Sequence, residues 1–184
     1  YKSLTPNFTA ALSVNTDFAE TEVDERRINL TRFSLYFPEK RTFFLEGSEI
    51  FNFGTASSQS FSPFFSRKIG LHEGNQVPVV FGTKVFGRLG STNLAFLDVQ
   101  TDKFNSLGSQ NFFAGRLTQN VLAQSKVGAI FTAGSPSGDR NTLAGFDAIY
   151  QTSRFRGNNN FMAGAWYIYN WNARNNRTRR KLFI

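Results

Sequence analysis

Cysteine is absent from the 184 residues. That removes disulfide scaffolds and every cysteine-based zinc, redox or nucleophilic site. Histidine occurs once, at His72, so two-histidine metal motifs are excluded as well. No stretch reaches the roughly 18 consecutive apolar residues that a membrane-spanning helix needs. Charge is sparse too: Asp, Glu, Lys and Arg make up 18% of the chain, against about 25% in ordinary globular domains. What the chain has instead is phenylalanine, 22 of them, and apolar residues spread along its whole length, which argues against wholesale disorder.

The net charge of +8 is uneven. Residues 1–49 carry eight acids against six bases, whereas residues 50–184 carry fifteen bases against five acids. Five of those bases fall between Arg174 and Lys181, among asparagines. A basic balance suits nucleic acid through phosphate neutralisation. A short Arg/Asn run is read here as a solvated loop, and no nucleic-acid partner is expected. The chain opens at Tyr1 without a methionine and is read as a portion of a longer protein.

Alternation with a period of two dominates the rest. Between Asn7 and Thr16, Phe8, Ala10, Leu12 and Val14 share one face while Thr9, Ser13 and Asn15 share the other. Such alternation marks a strand with one apolar and one polar face. Similar runs cover Pro78–Leu89, Asn93–Gln100, Asn111–Gln119, Ser125–Thr132, Thr142–Gln151 and Phe161–Tyr169, separated by Gly-, Asn- and Pro-rich turns. The pattern predicts an all-β antiparallel up-and-down meander of seven or eight strands in a single domain over 1–184.

Two architectures share that period. In a soluble sandwich the apolar faces meet each other; in an outer-membrane barrel they meet lipid and the polar faces line a lumen. Strands near ten residues, longer than sandwich strands, favour the barrel. So do aromatics near strand ends, including Trp166, Tyr167, Tyr169 and Trp171. On the barrel reading Lys84, Arg88, Arg116, Lys126 and Asp147 would face the lumen. On the sandwich reading exposed aromatics such as Trp166, Tyr167 and Trp171 would bind carbohydrate.

Residues 17–54 break the repeat. Glu20, Glu22 and Asp24 recur at period two, with Arg26, Arg27 and Arg32 close behind. Three acids on one face of an extended chain repel unless solvated, bound to a cation or met by arginines, whose planar forks pair with carboxylates. The preferred reading is a charged network that folds this segment inward, joined by Glu39, Lys40, Arg41 and Glu46; a calcium site or a charged constriction is the functional alternative. No metal or other cofactor is expected. Glu39 and Glu46 flank a turn, but Lys40 and Arg41 beside them make a salt-bridged loop the better account than a paired-carboxylate site. No nucleophile elbow, phosphate-binding loop or dinucleotide motif occurs, so no catalytic residue is nominated and enzyme activity is left open.

Five stretches resemble a known family: Thr5–Thr9, Asn15–Glu20, Pro63–Gly70, Leu97–Thr101 and above all NLTRFSLYFPEKRTFFLEG at Asn29–Gly47. They are similar to a bacterial outer-membrane family in which a carbohydrate-binding-module-9-like domain precedes a β-barrel domain of unknown function (number 5916). The resemblance runs from about Thr5 to about Tyr150. It implies the first strands of an outer-membrane barrel, in contact with lipid and completed by chain beyond this one, serving passage or export of a glycan-related solute. It supplies no catalytic mechanism.

Overall fold

The computed structural model describes residues 1–16, 39–54, 62–72, 75–138, 141–172 and 177–183. Eleven strands occur among them: β1 (Lys2–Thr5), β2 (Phe8–Thr16), β3 (Leu71–His72), β4 (Asn75–Gln76), β5 (Val79–Leu89), β6 (Thr92–Thr101), β7 (Asn111–Val121), β8 (Ser125–Ala133), β9 (Asn141–Phe155), β10 (Asn159–Asn172) and β11 (Arg177–Phe183). Nine form one antiparallel sheet in the order β1-β2-β5-β6-β7-β8-β9-β10-β11, while β3 and β4 pair separately. Every alternating run in the sequence is a strand of that meander. The Arg/Asn stretch expected as a loop contributes β11, whose Arg177 stands opposite Asn172 of β10.

The sheet is open. β1 and β11 are its edges, and neither pairs with the other. A span through hydrocarbon must satisfy every backbone N–H and C=O internally, which for strands demands closure. The partial transmembrane barrel is therefore corrected to an open antiparallel meander. The lipid partner, the outer-membrane location and the solute passage drawn from it are withdrawn with it. No helix among the described residues is long and apolar enough to cross a membrane.

Among the described residues no second large sheet lies opposite the first. One face is covered instead by a cap of short elements. The helical turn α1 (Thr42–Leu45) leads through Gly47, at φ +65°, into a 3-10 turn at Ser48–Phe51. A second 3-10 turn follows at Ser66–Lys68. Glycine adopts the left-handed backbone at Gly47 without penalty.

Four cap phenylalanines are buried. Phe43, Phe44 and Phe51 pack with Ile69 on Ala11, Ala95, Leu97, Val99 and Ala114 of the sheet. Phe53 forms a second cluster with Ile130, Leu143 and Ile168. Small residues create the room. A Cβ placed on Gly82 would lie 3.1 Å from the Phe43 ring, and one on Gly145 would lie 3.0 Å from the Phe53 ring. The rings thus sit directly on sheet backbone. A register shift between Val79 and Phe81 turns Val79 inward beside Thr101, although simple alternation places it with Phe81 and Val85. Val79 is buried and Phe81 exposed.

The opposite face is apolar, and many of its described residues are exposed. Leu12, Val14, Phe131 and Phe146 remain 66%, 64%, 41% and 65% exposed. They do not meet in a dry centre between two sheets.

Filling the space under the cap should detach it. Gly82→Val is expected to lose about 1–3 kcal/mol through overpacking against Phe43. Gly108→Ala, with nothing within 4 Å of the added carbon, should change stability by less than about 0.5 kcal/mol. Urea denaturation of both variants measures the difference.

Candidate functional site

Strand register decides where the charged residues go. Lys84 stands opposite Leu97, which stands opposite Ala114; Arg116 stands opposite Ile130, and Asp147 opposite Gly128. These positions share the parity of the buried core. Lys84, Arg116 and Asp147 accordingly lie on the covered face, all but removed from solvent.

Arg116 and Asp147 come from β7 and β9, with β8 between them. The guanidinium donates two hydrogen bonds to the carboxylate, Nη1 to Oδ1 at 2.6 Å and Nη2 to Oδ2 at 2.8 Å. It reaches across because β8 offers only Gly128 beneath: a Cβ there would lie 2.7 Å from Nη1 and 2.8 Å from Oδ1. Asp147 Oδ2 also accepts the Gly54 N–H at 3.2 Å, and the guanidinium lies 5.3 Å from the Phe53 ring. The pair therefore pins the far end of the cap to the sheet.

Lys84 pins the near end. Its Nζ donates to the carbonyl oxygens of Phe43 and Glu46, the latter at 2.6 Å, and lies 5.3 and 5.0 Å from the Phe43 and Phe86 rings. Burial lowers its pKa to about 8, while Glu46 and Glu49 pull the other way. Arg41 closes the base. It donates to both Glu39 carboxylate oxygens at 2.8 Å, to the Ile69 carbonyl at 2.7 Å and to the Ser66 carbonyl at 2.8 Å. Burial alone would raise the Glu39 carboxyl, but the Arg41 bonds and charge, with the Ser66 hydroxyl at 2.7 Å, hold it below the usual range.

Glu39 and Glu46 are thus not a facing carboxylate pair. Glu39 serves Arg41, and Glu46 offers its backbone carbonyl to Lys84. Lys40 is exposed beside Glu39. Glu20, Glu22, Asp24, Arg26, Arg27 and Arg32, with the calcium and network readings attached to them, lie outside the described residues. His72 is placed by β3, its Nδ1 2.9 Å from the Pro136 carbonyl oxygen. The aromatic trio is split by strand parity: Trp166 turns to the covered face beside Phe53, ring centroids 6.2 Å apart. Tyr167 and Trp171 turn to the open face, where Trp171 packs with Tyr169 at 5.1 Å.

A polar cleft of about 440 Å³ lies where the cap stops short of the strand ends. Glu49 and Ile50 of the 3-10 turn, with Asn52 just after it, form one wall. Arg88, Asn93, Thr118 and Asn120 of β5, β6 and β7 form the floor, with the half-buried Phe86 ring among them. Asn7 and Lys126 close the sides. Asn93 Nδ2 donates to Thr118 Oγ1 at 3.2 Å, and Arg88 Nε to the Gly90 carbonyl at 2.8 Å. Arg88 and Lys126 were legible in the sequence as polar-face residues. Asn7 lies on the polar face of its alternating run and Asn93 heads another, whereas no pattern singles out Asn52 or Asn120.

A family model described as a domain of unknown function (DUF5916) matches residues 3–85, less than half of the chain. The similarity read from the sequence as far as Tyr150 is thereby cut back to residue 85, and the barrel it implied is not what the open sheet forms. No curated protein and no solved structure matches the chain.

Breaking the buried pair should be costly. Asp147→Ala leaves the Arg116 charge stranded and is expected to lose about 3–5 kcal/mol, whereas Arg116→Met with Asp147→Leu loses less because no lone charge remains. Chemical denaturation of the three chains tests this. Lys84 carries a pH signature. Its folded pKa lies below its ordinary value of 10.5, so from about pH 8 to 10.5 the unfolded chain binds more protons and stability rises with pH. Lys84→Met should flatten that rise in denaturation midpoints measured across this window.

Proposed function

We propose that this domain binds carbohydrate, in the polar cleft at the turn end of its covered face. The observation that carries the reading is the cleft's mixed lining. Asn7, Asn52, Asn93 and Asn120 each offer both a donor and an acceptor, Thr118 offers a hydroxyl, and Phe86 adds an aromatic surface. A sugar presents hydroxyls that give and accept hydrogen bonds, and C–H faces that pack on a ring. A concave site with a few convergent polar groups and an apolar patch suits that chemistry.

The exposed aromatics on the open face compete for the same role. Tyr167 and Trp171, with the half-buried Tyr169 between them, share one side of β10, a surface on which a sugar ring can stack. Asn170, next in sequence, turns to the other face and donates to Asn141 Oδ1 at 3.0 Å.

Glycan-array screening followed by calorimetric titration of the best oligosaccharide tests the proposal. Asn93→Ala combined with Asn120→Ala is expected to weaken binding about tenfold or more, the scale of one or two lost hydrogen bonds, while Trp171→Ala leaves it unchanged. Binding that survives the asparagine changes but falls with Trp171→Ala would move the site to the open face. An array with no bound glycan would overturn the proposal.

A further inference from the structure

The acids and bases around the cleft do not balance. Glu49 is the single acid in its lining among the described residues, and Glu49 and Glu46 both act on the buried Lys84 ammonium. Arg88 and Lys126 are left as surplus cations. Arg88 spends its Nε on the Gly90 carbonyl, and Lys126, half-buried on β8, has no ion-pair partner among the described residues. The two come from strands that are not neighbours, β5 and β8, yet line one cavity. Between them lie Asn93 and Thr118, already joined to each other, and Asn120.

An exposed arginine and a half-buried lysine on the rim of one cleft, beside amides and a hydroxyl, suit a group with negative charge and flanking hydroxyls. Charge-assisted hydrogen bonds are roughly twice as strong as neutral ones, so such a group would dominate the choice of ligand. We propose that the carbohydrate is acidic, a sugar whose carboxylate is held by Arg88 and Lys126 while its hydroxyls meet the asparagines. This inference rests on the carbohydrate reading of the same cleft and adds the ligand's charge to it.

Methyl esterification of an oligouronate removes the negative charge and keeps the ring stereochemistry. Calorimetric titration of the full chain with a panel of oligouronates, their methyl esters, neutral oligosaccharides and citrate therefore separates the possibilities. The acid form is expected to bind at least about tenfold more tightly than its ester, with affinity falling as salt rises. Arg88→Gln and Lys126→Gln should each erase most of that preference while leaving the melting temperature in place. Equal binding of acid and ester overturns the inference and leaves a neutral carbohydrate site standing. Binding of neutral oligosaccharides alone does the same. Citrate competing as well as the oligouronate overturns it by reducing the cleft to a general anion site. Failure of every sugar, charged or neutral, overturns both this inference and the carbohydrate reading beneath it.

Discussion

One ion pair decides how the cap sits on the sheet. Arg116 and Asp147 are separated by an entire strand, and they meet only because Gly128 contributes no side chain between them. Two charges taken from water are costly unless their geometry is good and their remaining hydrogen-bonding capacity is met. Here the carboxylate takes two guanidinium bonds and then the Gly54 N–H. The last contact ties a cap residue to the centre of the sheet. Apolar burial gives the cap its affinity for the sheet, about 1.5–3 kcal/mol for each fully buried large side chain. It is non-directional. The ion pair adds direction: the cap must place the Gly54 N–H over Asp147, which sets Phe53 above Gly145.

The same arrangement repeats at the other end with a different residue. Lys84 donates to two carbonyls of the cap, at Phe43 and Glu46, and Phe43 then rests above Gly82. Each anchor combines a buried charge that reads cap backbone with a glycine that admits a cap ring. Arg41 does for the cap's entry what these do for its body, reading the Ser66 and Ile69 carbonyls. The polar residues of the covered face are in this sense structural: they orient a layer too short in regular structure to orient itself through backbone ladders.

Much of this was open to sequence reasoning, and the failures have physical causes. Strand positions were legible because period two is a local property: Phe8–Thr16 and Ser125–Ala133 were found to within a residue or two. Lys84, Arg88, Arg116 and Asp147 could be assigned to one face for the same reason. Whether a meander closes is not local. It depends on whether the first and last strands meet, and alternation within each strand says nothing about that. The split of Trp166 from Tyr167 was available from parity, since neighbours in a strand cannot share a face, and grouping them as one platform overlooked it. Val79 was misplaced because a bulge shifts parity without leaving a sequence mark. The ion pair across Gly128 could not be read at all. It requires knowing that β7, β8 and β9 are adjacent and in which register.

The cleft follows from where the cap ends. Covered-face positions under the cap are Ala11, Ala95, Leu97, Val99 and Ala114, small or aliphatic residues suited to receiving phenyl rings. Continuing along the same parity toward the turns, they become Arg88, Asn93, Thr118, Asn120 and Lys126. Water alone would account for polarity at strand ends. It would not account for Lys126 and Asn93 being half-buried, nor for Thr118 being buried. Long charged side chains lay their stems along apolar surface and keep their heads in water, which suits the exposed Arg88 and half-buried Lys126. With Asn93, Thr118 and Asn120 they line one volume, bounded by the 3-10 turn that follows the segment Lys84 holds. A cap anchored for packing alone could have extended one turn further and closed the space with another aromatic. Because it stops short, its anchors also hold the walls of a polar cavity, and the stability of the fold and the shape of the site rest on the same buried lysine.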